Sequence, residues 1–100
     1  MHALDALGNP TRREILDLLR AGEQPVQFLA DRLPISRPAV SRHLRLLTEA
    51  GLVAHRGEGA KNYYGLRPDG FEAARAHLES YWDDALTRFK LVAENLEDAP

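Results

Sequence analysis

Apolar residues recur at helical spacing along most of the chain and alternate in one short stretch only. Asn9-Pro10 opens the first clear helix: Asn caps unpaired amides, and Pro occupies a first-turn position whose missing N–H costs nothing. Ile15, Leu18 and Leu19 then follow at helical spacing, with an end expected near Ala21-Gly22. A short helix is predicted from about Pro25 to Arg32, carrying Val26, Phe28 and Leu29, and it stops before Pro34, because a residue preceding proline avoids helical dihedrals. After the Leu33-Pro34-Ile35 turn, Ser36 caps a helix that tolerates Pro38 in its first turn and ends at Ala50-Gly51. Two helices around a turn of about four residues make a helix-turn-helix.

The period then changes. Leu52–Arg56 and Asn62–Leu66 read as strands joined by "GEGAK", with Gly57 and Gly59 supplying turn conformations. A small hairpin thus stands behind the helix-turn-helix as a wing. Asp69 is expected to cap a long helix from about Gly70 to Glu97, with no proline before Pro100. Near the N-terminus, "HALDAL" reads as a short extra helix. The expected architecture is mostly α with a small β-hairpin wing: one winged-helix domain over residues 1–100, its helix-turn-helix at about 25–50, its wing at about 52–66 and a C-terminal helix at about 70–97.

At about 100° per residue, the helix starting at Arg37 splits into two faces. Ala39, Val40, His43, Leu44, Leu46, Leu47 and Ala50 share one side; Arg37, Pro38, Ser41, Arg42, Arg45, Thr48 and Glu49 share the other. His43 falls in the middle of the apolar arc and is expected in the core, where a ring nitrogen needs a partner. The outward face combines guanidiniums with short hydroxyls, which lets a helix approach a DNA major groove about 12 Å wide. Arg37 and Arg42 could pair with guanine edges, while Ser36, Ser41, Arg45, Arg56 and Lys61 suit phosphate contacts.

The formal net charge of −2 conceals an asymmetry: the chain up to Arg67 is net positive, and from Pro68 onward acids including Asp83, Asp84, Glu94, Glu97 and Asp98 outweigh Arg75, Arg88 and Lys90. At 44% hydrophobic and 28% charged residues, the composition is that of a globular protein. There is no cysteine, which removes disulfides and thiolate chemistry. No apolar run approaches the roughly 20 residues of a membrane span, and "MHALDALGNP" lacks the features of a signal peptide, so a cytoplasmic protein is expected.

"ALGNPTRREILDLL" and "LADRLPISRPAVSRHLRLLTEAGLVAHRGEGAKNYYGL" resemble the opening signature and the helix-turn-helix plus wing of ArsR-type winged-helix repressors. That resemblance implies a homodimeric transcription regulator on double-stranded operator DNA, released by an inducer. It also implies recognition-helix contacts from Ser36, Arg37, Ser41, Arg42 and Arg45, beside which Pro38 lies, and wing contacts to phosphate or minor groove from Arg56 and Lys61.

The long helix supports dimerisation independently. Phe71, Ala74, Leu78, Tyr81, Trp82, Ala85, Leu86, Phe89, Val92 and Leu96 step by threes and fours, and a helix of about 26 residues reaches about 39 Å, beyond the body it follows. Its economical partner is a second copy, with Leu4, Leu78, Trp82, Ala85, Phe89 and Val92 at the interface. The alternative is that the helix folds back on its own body.

Many members of the resembled family bind metal. Their cysteine site is missing from "EQPVQFLADRL", and their C-terminal histidine–carboxylate set, anchored on His77, would fall on Arg75, Arg88 and Leu91, which cannot ligate zinc. No metal or cofactor is therefore expected, the remaining alternative being an unrecognised site using His2, His55 or Asp83-Asp84. No catalytic motif is present, and the adjacent carboxylates of Asp83 and Asp84 point about 100° apart on a helix. A protein-interaction module on the same fold is the rival from another class.

Overall fold

In the computed structural model, which describes residues 1–97, α1 (Ala3–Leu7), α2 (Pro10–Leu18), α3 (Val26–Arg32) and α4 (Arg37–Glu49) precede a hairpin of β2 (Val53–Glu58) and β3 (Lys61–Leu66). A long α5 (Pro68–Glu97) follows, and Gln24–Pro25 form a two-residue β1 ahead of α3. Asp98 and Pro100 lie outside the described residues.

Local chemistry accounts for most element ends. Asn9 accepts a 3.0 Å hydrogen bond from the Arg12 amide with Pro10 in the first turn, and Ser36 Oγ accepts from the Ala39 amide at 3.3 Å. Gly51, at φ +80°, takes the left-handed position that ends α4.

Several boundaries depart from expectation. The helix expected to reach Ala21-Gly22 ends at Leu18, because the chain tightens into three-residue bonds such as Gly22 N–H to Leu19 O. Pro25 does not begin α3. It is extended at ψ 157° and pairs with Tyr63, while Gln24 pairs with Tyr64, completing a sheet of order β1-β3-β2. As an edge position, this strand tolerates proline. Gly57 is not part of the turn: β2 runs to Glu58, opposite Lys61, so only Gly59 and Ala60 turn the chain. Asp69 does not cap α5. The helix begins one residue earlier, with Pro68 in the first turn, and Asp69 instead receives Arg67 at 2.6 Å.

Ile15, Leu19, Leu29, Val40, Leu44, Leu47, Leu52 and Val53 are the fully buried centre, and Ala6 of α1 joins them. Phe28, Ile35, Leu66 and Phe71 close its margin. The molecule measures 73 × 26 × 23 Å, the long dimension set by α5. After Ala74, the last buried side chain of α5 among the described residues, the helix leaves the body instead of folding back on it.

Candidate nucleic-acid interface

The packing of α4 separates its two faces as the sequence pattern requires. Val40, Leu44 and Leu47 are buried against α2, α3 and the sheet, which leaves Arg37, Pro38, Ser41, Arg42, Arg45 and Glu49 exposed along the other side. His43 sits between the two environments. It is half-buried, its Nδ1 is enclosed with no hydrogen-bond partner, and burial, then Arg12, then Arg42 hold its pKa below the usual histidine value.

The outward residues are not equivalent. Arg37 donates to Gln27 Oε1 at 3.1 Å, and Gln27 Nε2 in turn donates to Asp31 at 2.6 Å, so α3 orients this guanidinium. Together with Pro25, Lys61 and Asn62 it lines a hollow of about 290 Å³ between the helix-turn-helix and the wing tip. Two cations sharing that hollow repel each other unless an anion lies between them. Ser36 is committed to capping α4 but keeps its hydroxyl proton to donate.

Pro38, Ser41, Arg42 and Arg45 line a larger groove, of about 580 Å³, on the other side of α4. Its far wall is the wing, through His55 and Tyr64. Neither Arg42 nor Arg45 has a hydrogen-bond or ion-pair partner among the described residues, whereas Arg20, Arg56, Arg67 and Arg75 are all paired with carboxylates.

Arg56 is positioned differently from the expected wing contact. It pairs with Glu58 at 2.8 Å and with Glu23 at 3.2 Å and leans over the Tyr63 ring, 4.9 Å from its centre. The hydrogen bonds it donates to Glu58 and Glu23 raise its pKa further, so its charge is held but locally neutralised. Lys61, at the wing tip, has no such partner among the described residues.

His55 and Tyr64 were not among the sequence candidates for DNA contact. The signal was available: with a two-residue turn at Gly59-Ala60, strict pairing sets His55 opposite Tyr64 and Arg56 opposite Tyr63, on opposite faces of the wing.

At the other end of the molecule, Leu4 is half-buried on α1, while Leu78, Trp82, Ala85, Phe89 and Val92 are exposed along α5, Trp82 by 66% and Phe89 by 69%. His2 and His77 meet edge to face at 5.2 Å, and His77 Nε2 contacts the Tyr81 hydroxyl at 2.9 Å. Among the described residues no three histidines or carboxylates converge as a metal site. No helix among them is long and apolar enough to cross a membrane.

Residues 7–56 match the model of a helix-turn-helix domain family. The chain is 42% identical to the HTH-type transcriptional regulator Rv2034 of Mycobacterium tuberculosis over 96% of this chain and 90% of that protein. It is 39% identical to the transcriptional repressor SdpR of Bacillus subtilis over 61% of this chain and 68% of that protein. Among solved structures, a "Possible transcriptional regulator for arsenical resistance" superposes with a TM-score of 0.79 at 48% identity, covering 94% of this chain and 96% of that one. An ArsR-like transcriptional regulator from Rhodococcus sp. RHA1 gives 0.75 at 35% identity, covering 92% and 87%.

Proposed function

The chain belongs to the ArsR family of winged helix-turn-helix transcriptional regulators, and on that premise we propose that it represses transcription as a homodimer bound to a palindromic operator. The observation that carries DNA binding is the pair Arg42 and Arg45: two guanidiniums without carboxylate partners among the described residues, exposed with Ser41 on the face of a capped helix and flanked by a wing. Arg56 and Arg75, by contrast, are paired with carboxylates. In this reading Arg37 and Arg42 read base edges, Ser36, Ser41, Arg45 and Lys61 grip phosphates, and Pro38 keeps the helix start slim. Arg56 contributes less than its position in the wing suggests.

Dimerisation is supported by the stripe on α5. Leu78, Trp82, Ala85, Phe89 and Val92 recur at alternating steps of four and three, the spacing of a helix that packs along a second helix. Each large side chain buried there contributes about 1.5–3 kcal/mol. A two-fold pair of α4 helices would then meet half-sites one helical turn apart. An acidic α5 stem held away from that surface would keep the net charge of −2 from opposing DNA.

The same reading makes the protein a cytoplasmic regulator without catalytic activity, released from DNA by a small-molecule inducer. Selection of duplexes from a random DNA pool tests it. An enriched palindrome, whose retention in a gel shift is lost in Arg37→Ala and Arg42→Ala while the dimer persists, supports it; no enrichment favours a protein-interaction module instead.

A further inference from the structure

We propose that His55 is an additional DNA contact, a proton-dependent grip on the sugar–phosphate strand that lies in the groove between α4 and the wing. The proposal rests on the DNA-binding reading of α4. The groove has two unlike walls: Arg42 and Arg45 on the helix, His55 and Tyr64 on the wing. A phosphodiester fits that combination, because guanidiniums supply charge and the tyrosine hydroxyl and imidazole supply directed donors.

The imidazole is held in place from two sides. Its Nε2 lies 2.8 Å from Asn62 Oδ1, and its ring sits 5.0 Å from that of Tyr64 at 33°. Against a carbonyl oxygen, Nε2 must carry the proton, so neutral His55 has only Nδ1 left, and Nδ1 is then an acceptor. Protonation turns Nδ1 into a second donor and adds a positive charge without disturbing the Asn62 bond. Histidine is the side chain whose charge changes between about pH 5 and 8.

The charged and titratable groups facing His55 across the groove are Arg42, Arg45 and Glu49 of α4, with Tyr64 beside it on β3. A phosphate between the walls adds a negative charge beside the imidazole and favours its protonated form, so proton uptake accompanies DNA binding and affinity rises as pH falls. Arg56, the next residue, faces the other side of the wing and is neutralised by its own carboxylates.

The test measures affinity by fluorescence anisotropy, at fixed ionic strength between pH 6 and 8, for a duplex enriched from a random pool. Wild type, His55→Gln and His55→Lys are compared, with circular dichroism confirming the fold of each. The wild type is expected to bind roughly fivefold tighter at pH 6 than at pH 8, the scale of one exposed charge contact. The salt dependence at pH 6 steepens by about 0.9 per added phosphate contact. His55→Gln matches the wild type at pH 8 and loses the gain at pH 6, whereas His55→Lys binds tightly at both. Parallel pH profiles for wild type and His55→Gln overturn the role of His55 and leave DNA binding intact. No enriched duplex at any pH overturns both readings.

Discussion

Gly70 at the start of α5 lies directly against the carbonyl of Gly51, the residue that ends α4. A Cβ placed on Gly70 would fall 2.6 Å from the Gly51 carbonyl carbon and 3.3 Å from the Leu52 Cα, and closer still to the Gly51 oxygen. Those neighbours are backbone and cannot rotate away. The contact is reinforced by the Arg67 amide, which donates to Leu52 O at 2.9 Å.

Gly70→Ala is therefore expected to destabilise the fold by about 1–3 kcal/mol or more, the scale of overpacking in a rigid site. Chemical denaturation monitored by circular dichroism reads this directly. Ala73→Gly, on an exposed position of the same helix, should cost only about 1 kcal/mol, from helix propensity.

The unequal arginines give a second expectation. Arg42→Ala and Arg45→Ala should each weaken DNA binding by about 1–3 kcal/mol, and Arg56→Ala by clearly less. The converse is sharper: Glu23→Gln and Glu58→Gln release Arg56 from its two carboxylates and should tighten binding to DNA of any sequence, with a steeper salt dependence. Equal losses for all three arginine variants in a gel-shift titration would contradict the idea that Arg56 is neutralised.

Trp82 is the chain's one tryptophan and stands 66% exposed on α5. If a second copy covers it, its fluorescence should shift to the blue as concentration rises through the dimerisation range. Trp82→Glu should give a monomer in sedimentation equilibrium, with the winged-helix body still folded. A concentration-independent spectrum at an exposed-tryptophan wavelength would argue against α5 as the interface.

His43 carries a stability prediction with a definite sign. Its pKa is lower folded than unfolded, so in the window below the ordinary value of 6.5 the unfolded chain binds the extra proton. Stability from His43 is complete above that value and is lost as pH falls through it toward the lowered folded value. His43→Leu removes both the enclosed orphan nitrogen and this dependence, so thermal unfolding at pH 8 and at pH 5.5 should differ less in the variant than in the wild type.

What could be read in the sequence was what depends on period and on single strong residues. Ile15, Leu29 and Val40 declare their helices by spacing, Ser36 its cap and Gly51 its stop. The apolar stripe of α5 was equally plain, because ten apolar residues at helical steps need a face to bury, and only its first two, Phe71 and Ala74, find the body. Other features turn on contacts between distant parts of the chain. A two-residue strand at Gln24–Pro25 has no period, and it exists because Tyr63 and Tyr64 arrive beside it. Arg56 looked available for DNA because Glu23 lies 33 positions away. The start of α5 is a different matter: Pro68 signals a helix start as Pro10 does, and Asp69, which also suits a cap, already lies inside the first turn.

The seam between Gly51 and Gly70 also has a mechanical side. At 30 residues α5 is about 45 Å long, so a tilt of about 5° at its root swings its far end by about 4 Å. The converse holds if the far ends of two such helices are tied together: a small sideways displacement there returns to the body as a rotation about the seam. The helix that ends at Gly51 is α4, so the angle between the two reading surfaces would be geared to a place tens of ångströms from either. With so short a fulcrum, a displacement at either end of such a lever would pass through one backbone contact.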